Sequence, residues 1–375
     1  MRKFSIITVF LLLIGGQGLE FAQAESLGKF VIKKIKNPTF HSNELFRAYE
    51  NYYSPRIKLL REKYGLDKVV AGEDDEFKRI LLLRHWVHSN MRIEDHHPTY
   101  TREDVFAILE AARAGGGFQC SQFSVVQNAV LNSFGYVTRR LGAGPGQKTV
   151  GHDGHHAANE VWVNKFSKWV LIDAKYDLHF EKNGIPLSAL EVRDQVWHDG
   201  GKSVVAVFGP DRKPTVPQAE DNDWKIWTKP EIYRWCSWET STNRFTAFPA
   251  VLNSILVMYE DDIFLEHLWY RGGKTHWAYN TPYLIKTTRR DWIYWTPNVI
   301  LAQLKIHGDR VNVFLQSFTP NFKTFQMKID NQGWTDCAER VELSLKKTHN
   351  YFIFRTLNLF GVTGPEHRVE IDWKN

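Results

Sequence analysis

The chain has 375 residues, a formal net charge of +6, and a composition that is 43% hydrophobic and 24% charged. This length is enough for two domains with separate cores, and the composition is that of a globular protein rather than of a disordered chain. The positive charges are spread along the chain and only its start carries a long apolar run, which argues against a nucleic-acid partner and against a multipass membrane protein.

The start of the chain has the pattern of an export signal. Arg2 and Lys3 precede an apolar stretch from Ile6 to Ile14, and Ala22-Gln23-Ala24 follows as a small-x-small cleavage site. We expect residues 1–24 to be removed. The mature protein should then be exported, periplasmic or secreted, without a membrane span.

Apolar spacing predicts helices first and antiparallel strands after them. The predicted helices are 40–65 with a break near Pro55, 75–90, Arg102–Ala114 with Thr101 as N-cap, and one that begins near Cys120 and is closed by Gly135. The predicted strands are Tyr136–Leu141, Ala157–Val163 and Phe166–Ala174, with a glycine-rich loop at 142–155. This order is typical of an α+β domain.

The rest of the chain divides into an aromatic segment and a strand-rich segment. Residues 224–295 hold eight of the 14 Trp residues, and Phe248–Met258 has helix-like spacing. From about Trp292 short β runs alternate with turns, which predicts an antiparallel β-sandwich of immunoglobulin type. The predicted strands are Val299–Ile306, Val311–Ser317, Thr324–Ile329, Arg340–Leu345, Tyr351–Leu357 and His367–Trp373.

One of the three cysteines has a setting that favours chemistry. Cys120 follows a triple glycine and starts an amphipathic helix, where free N–H groups and the helix dipole favour a thiolate and can hold an oxyanion. Cys236 and Cys337 have no such setting. Because three is an odd number, at least one thiol is unpaired within the chain, and whether Cys236 and Cys337 are bridged stays open.

A nucleophilic cysteine needs a base and an acceptor that orients the base. A hairpin that turns at Asn164-Lys165 would place His156 directly opposite Asp173 on one sheet face, with Cβ atoms about 4.5–5.5 Å apart. A turn at Phe166-Ser167 would shift the register by four residues and weaken this geometry.

These residues resemble the transglutaminase-like superfamily of papain-type folds. The matching segments are Gly117-Phe118-Gln119-Cys120, then His156-Ala157-Ala158-Asn159-Glu160-Val161, then Trp169-Val170-Leu171-Ile172-Asp173, and the resemblance covers roughly residues 75–180. It implies Cys120 as nucleophile, His156 as base and Asp173 as the residue that orients the base. The family often has an aromatic residue in place of Ala158 and Pro in place of Ala174, so the substrate class does not follow.

Three neighbours are assigned to substrate binding. Gln119 could donate to an oxyanion or serve the turn, and Trp86 could line the cleft or belong to the core. His155 is the second candidate base, although strand alternation turns it away from His156. The cluster of His152, His155 and His156 with Asp153 lacks a zinc-site spacing, and we expect no metal or cofactor.

The predicted domains follow from these observations. They are a signal at 1–24, a transglutaminase-like catalytic domain at 25–215, a Trp-rich connecting region at 216–295 and a β-sandwich at 296–375. The Trp residues could form sugar platforms or a domain interface. The predicted function is exported, cysteine-dependent acyl transfer through a Cys120 thioester, ending in hydrolysis of a peptide, glycopeptide or glycan amide. The alternative is a non-catalytic glycan- or protein-binding protein that retains the fold.

Overall fold

A computed structural model describes residues 29–47, 49–101, 103–145, 155–213, 228–247, 255–261, 270–271, 274–275 and 284–374. The predicted signal lies outside these residues, and so does much of the Trp-rich region. Within the described ranges no helix has both the length and the hydropathy of a membrane span.

Helices and strands are interspersed along the described part of the chain. The helices are α1 (Pro55–Tyr64), α2 (Leu66–Val69), α3 (Glu76–Asn90), α4 (Val105–Arg113), α5 (Cys120–Asn132), α6 (Ala189–Asp199) and α7 (Arg290–Ile293). The strands up to the aromatic segment are β1 (Phe30–Ile32), β2 (Arg92–Ile93), β3 (Gly117–Phe118), β4 (Thr138–Gly144), β5 (His156–Val163), β6 (Lys168–Asp173), β7 (Leu178–Lys182), β8 (Ile185–Pro186) and β9 (Val205–Phe208). The later strands are β10 (Trp235–Glu239), β11 (Leu256–Tyr259), β12 (Tyr270–Arg271), β13 (Lys274–Thr275), β14 (Leu284–Thr287), β15 (Ile300–His307), β16 (Arg310–Ser317), β17 (Phe322–Ile329), β18 (Thr335–Cys337), β19 (Arg340–Ser344), β20 (His349–Asn358) and β21 (His367–Trp373).

Two helix starts differ from the sequence-based expectation. The first helix begins only at Pro55, whose fixed φ and missing N–H suit the first helical position, so residues 40–54 are not part of it. Helix α4 begins at Val105, and its N-cap is Asp104 rather than Thr101. The Asp104 carboxylate accepts from the backbone N–H of Ala107 at 3.3 Å, a stronger cap because it carries charge.

The central sheet separates two cores. Its strand order is β14-β11-β10-β4-β5-β6-β7-β8, with β9 also paired to β7. One face packs against α1, α3, α4 and α5 through a core that includes Phe77, Phe123 and Ile172. The other face carries an aromatic core that includes Trp162 and Trp238. Because both faces are covered, β5 and β6 are buried almost throughout, and their polar residues have hydrogen-bond partners.

Glu160, on β5 of the central sheet, is a buried carboxylate whose two oxygens both accept hydrogen bonds. Its Oε2 accepts from Arg139 Nη2 at 2.7 Å and from Trp238 Nε1 at 2.7 Å. Its Oε1 accepts from the N–H of Ala189 at 2.7 Å and from the Tyr294 hydroxyl at 3.2 Å. The Arg139 guanidinium also lies 4.0 Å from the ring centroid of Trp169. This buried pair therefore joins β4, β5, β10 and α6.

The C-terminal strands form two antiparallel sheets around a third core. The orders are β15-β16-β19 and β1-β21-β20-β17-β18, so the N-terminal strand β1 pairs with the last strand. Inward residues of both sheets, such as Val313 and Phe354, share that core. All six predicted C-terminal strands are present within a few residues, whereas β1 and β18 were not predicted. The helix predicted at Phe248–Met258 is wrong where it is described, because residues 256–259 form β11.

We expect Glu160→Gln to lower the free energy of unfolding by about 3–5 kcal/mol, because Arg139 would stay buried without its charged partner. Urea unfolding followed by Trp fluorescence measures this. The matched control is Glu342→Gln, which removes a strand glutamate paired with Arg310 at the surface and should cost less than about 1 kcal/mol. Equal effects of the two substitutions would contradict the role given to Glu160.

Candidate active site

Helix α5 presents Cys120 as its first residue. The preceding strand β3 runs parallel to β2, and a Cβ on Gly117 would lie 2.4 Å from the Cβ of Glu94. Only glycine therefore allows this close approach. Gln119 is the N-cap residue of the helix, and its backbone N–H donates to the side-chain Oε1 of Gln122 at 3.2 Å. The first N–H groups of a helix have no partner among its own carbonyl groups, so the thiol of Cys120 lies beside backbone donors at the positive end of the helix dipole.

The hairpin of β5 and β6 has a different register from the predicted one. Asn159 pairs with Ile172, and a short turn at 164–166 closes the hairpin. The register is therefore offset by two residues from the one that places His156 directly opposite Asp173, and that expectation is wrong. An even offset keeps both side chains on one face as diagonal neighbours, still within reach of each other.

The imidazole of His156 is held by the carboxylate of Asp173. The distance from Nε2 to Oδ2 is 2.6 Å, and both side chains are buried. The other carboxylate oxygen accepts from the N–H groups of Lys175 at 2.8 Å and Tyr176 at 3.3 Å. Because Nε2 is engaged with Asp173, Nδ1 is the nitrogen left for the thiol of Cys120, with which His156 also forms a hydrogen bond.

Burial and pairing act in opposite directions on the two reactive groups. Burial opposes ionisation of Cys120, but the hydrogen bond and charge of His156, with the charge of Lys175 and the N–H of Ala157, lower the pKa of its thiol below the ordinary value. Burial also opposes protonation of His156, yet the charge and hydrogen bond of Asp173 raise the pKa of the imidazole to about 9. Both shifts favour a thiolate–imidazolium pair.

Two tyrosines enclose the His156 ring. Tyr176 stacks on it with centroids 5.7 Å apart and planes at 30°, and Tyr233 meets it edge-on at 6.4 Å and 85°. Neither tyrosine was singled out from the sequence, and neither was Lys175 or Asp95. Lys175 and Tyr176 closely follow Asp173 in the chain, so the sequence alone could have indicated that they lie near the site. Tyr233 reaches the site only through tertiary folding.

The three predicted substrate contacts lie in different places. The Gln119 amide donates to the carbonyl oxygen of Asp95 at 3.0 Å, so it holds a loop beside the thiol. The Trp86 ring packs edge-on against Tyr64, 5.9 Å away, among the helices. The ring of His155 stacks on Trp235 at 6.2 Å. A substrate contact by any of the three stays a prediction.

No group of three or more His, Cys, Asp or Glu residues is arranged to hold a metal ion in the part of the chain that the structure describes. Of the cluster weighed as zinc ligands, His152 and Asp153 lie outside the described residues, whereas His155 and His156 lie within them. The three cysteines are all free, Cys236 and Cys337 included.

We expect Cys120 to be alkylated rapidly below about pH 8, because its pKa is lowered, and much faster than the other two thiols. Burial raises the pKa of Cys337 to about 11 and raises that of Cys236 as well. Site-resolved mass spectrometry after iodoacetamide treatment across pH measures all three rates in one molecule.

The control for this experiment is the neighbouring histidine. We expect His156→Ala to slow alkylation of Cys120 at neutral pH by roughly tenfold or more, since a shift of one to three pKa units follows the loss of a charged neighbour. His155→Ala should leave the rate nearly unchanged. If Cys120 reacts no faster than Cys337 in the unsubstituted protein, the thiol is not activated.

Comparison with known proteins gives one family match and two structural matches of low similarity. Residues 65–174 match the family model of the transglutaminase-like superfamily. A proposed cysteine protease from Cytophaga hutchinsonii is a structural match at 16% identity and a TM-score of 0.26, covering 34% of this chain and 40% of that chain. Red sea bream transglutaminase matches at 12% identity and a TM-score of 0.25, covering 86% of this chain and 72% of that chain. No curated protein matches the sequence.

The family match at 65–174 overlaps most of residues 75–180, for which the resemblance was stated, so the predicted resemblance to this family is confirmed. The segment that matches the transglutaminase-like family model includes Cys120, His156 and Asp173.

Proposed function

We propose that this protein is a cysteine-dependent acyl-transfer enzyme with Cys120 as nucleophile, His156 as base and Asp173 as the residue that orients the base. The observation that carries the proposal is the Nε2–Oδ2 contact of 2.6 Å between His156 and Asp173, on an imidazole that also bonds the Cys120 thiol. Nucleophile, base and orienting carboxylate are thus in the order that such catalysis needs.

The first half of the reaction makes a thioester. The Cys120 thiolate attacks the carbonyl carbon of an amide, and the carbonyl oxygen takes the negative charge while N–H groups at the start of α5 donate to it. The imidazolium of His156 then gives its Nδ1 proton to the leaving nitrogen, and the C–N bond breaks. Asp173 keeps the ring in one orientation throughout.

The second half releases the acyl group. A water molecule gives a proton to Nδ1 of His156 and attacks the thioester carbon, after which the S–C bond breaks and the thiolate is restored. With water as acceptor the net reaction is hydrolysis of an amide, in a peptide, glycopeptide or glycan substrate. A primary amine in place of water would give transamidation by the same steps.

The alternative, a non-catalytic binding protein, requires an exposed aromatic surface and a disrupted triad. In the described part of the Trp-rich region, Trp235, Trp238 and Trp295 are buried in the core of the central sheet or beside it. Those three rings therefore support a packing role rather than a sugar platform, which favours the enzyme.

We further propose that the protein is exported and that the C-terminal sheets are of immunoglobulin type. The export proposal rests on the pattern of residues 1–24. The second proposal is supported by the strand orders β15-β16-β19 and β1-β21-β20-β17-β18. Each sheet contains a pair of non-consecutive strands, β16 with β19 and β17 with β20, as Greek-key sandwiches do. The domain boundaries predicted at residues 215 and 295 remain part of this proposal.

The acyl-enzyme can be tested without knowledge of the substrate. We expect p-nitrophenyl acetate to acetylate Cys120 in a burst and to be turned over slowly by water, because a thioester forms faster than it is hydrolysed. Intact-mass spectrometry detects the adduct, and ¹⁸O from labelled water should appear in the acetate. Added primary amine would instead appear in the product if transamidation is the real reaction.

Substitutions separate the assigned roles. Cys120→Ala should abolish the burst, and Asp173→Asn should lower the turnover rate by about 10⁴-fold, as expected for loss of an orienting carboxylate. Cys337→Ala is the matched control and should retain full activity. A burst that survives Cys120→Ala would overturn the proposed function.

A further inference from the structure

The Cys120 thiol belongs to a closed ring of residues that are joined by polar contacts. The side chain of Gln119, the residue before it, donates to the backbone of Asp95 at 3.0 Å. Both carboxylate oxygens of Asp95 lie 2.7 Å from the Nζ of Lys175. The N–H of Lys175 donates to Asp173 at 2.8 Å, and the imidazole closes the ring back to the thiol. Lys175 and Asp95 are the two charged members with no step in the proposed chemistry.

The ammonium of Lys175 is held inside the protein at this position. Only 4% of its side chain is exposed, against 25% for Asp95. A positive charge in such surroundings acts over several ångströms with little screening. Burial opposes ionisation of the Cys120 thiol, and after His156 the charge of Lys175 is the next contribution that lowers its pKa.

We propose that Lys175 and Asp95 are opposed positioning residues that set the reactivity of Cys120. The Lys175 ammonium stabilises the thiolate, and the Asp95 carboxylate, by neutralising that ammonium, limits the effect. The inference rests on the proposed role of Cys120 as nucleophile. Because Asp95 lies on the loop between β2 and α4, the position of this loop then controls how acidic the nucleophile is.

Other ionisable groups lie around the Cys120 and His156 side chains, and the test has to leave these residues unsubstituted. They are His156 and Asp173 from the hairpin, His88 of α3, whose Nδ1 hydrogen-bonds to the carbonyl oxygen of Lys175 at 2.9 Å, and the phenols of Tyr176 and Tyr233. None of them is changed by substitutions at Lys175 or Asp95. A difference between those two variants therefore reports on the ion pair.

The test compares the pH midpoint of Cys120 alkylation by iodoacetamide in full-length Lys175→Met and Asp95→Asn variants. We expect Lys175→Met to raise the midpoint by roughly 0.5–1 pH unit, because a favourable charge is lost. Asp95→Asn should lower it by a similar amount, because the ammonium is left without its neutralising partner. Lys175→Arg, which keeps the charge, should stay close to the unsubstituted protein.

The opposite signs distinguish this proposal from a structural role. If the ion pair only holds the loop, breaking it from either side has the same consequence, so shifts of equal sign or no shift in either variant would overturn the inference. Lys346→Met, which breaks an exposed pair with Asp330, controls for a change in net charge and should shift nothing. Should Lys175→Met not fold, the pH midpoint of Asp95→Asn is compared with that of Lys175→Arg. The proposal then requires the lower midpoint in Asp95→Asn.

Failure of this inference and failure of the proposed function give different results. If the unsubstituted Cys120 reacts no faster than Cys337, the nucleophile itself is wrongly assigned. If Cys120 reacts rapidly but the two variants do not shift in opposite directions, the proposed function stands and only the role of Lys175 and Asp95 is lost.

Discussion

The buried pair of Glu160 and Arg139 is the interaction on which the arrangement around the central sheet depends. A carboxylate in an apolar core is tolerated only when its charge is matched and its lone pairs are filled. Here the guanidinium, an indole N–H, a helix N–H and a phenol meet that need together. Each donor comes from a different element, so satisfying one carboxylate places β4, β10, α6 and the chain near Tyr294 relative to β5.

The candidate active site uses the same strand. His156 lies four residues before Glu160 on β5, and alternation puts the two side chains on one face. The strand is thus anchored at its centre by a saturated ion pair and carries the imidazole at its end. An imidazole that is to act as a base needs a fixed orientation more than it needs mobility. A strand buried on both faces supplies that fixed orientation.

Three features of the site act in one direction. The helix dipole, the His156–Asp173 pair and the ammonium of Lys175 all favour the thiolate of Cys120, while burial opposes it. The local electrostatics therefore offset a desolvation cost that would otherwise leave a neutral thiol, as at Cys236, where burial raises the pKa. The contrast between Cys120 and Cys236 lies in their charged and hydrogen-bonding neighbours, which lower the pKa of the Cys120 thiol despite the opposing effect of burial.

Much of the site was predictable because its signals are local. A glycine run before a cysteine, followed by helical spacing, predicts a helix start, and Cys120 is the first residue of α5. The β runs Ala157–Val163 and Phe166–Ala174 predict two strands, and their pairing as a hairpin predicts that His156 and Asp173 share a face. The direct pairing of these two residues was predicted wrongly, because turn geometry sets the register. The turn was predicted as the two residues Asn164-Lys165, whereas the chain from 164 to 167 connects the two strands.

By itself the sequence determined the elements that depend on neighbours within a few residues: the helices α3 and α5, the hairpin, the C-terminal strands, and a cysteine, a histidine and an aspartate in the order of a known family. Only the tertiary structure decided that Lys175 pairs with Asp95, that Tyr233 covers the imidazole and that β1 completes the C-terminal sheet. Those contacts join residues far apart in the chain. Helix and strand periodicity reports only which face of an element is buried, so it carries no information about which distant partner that face will meet.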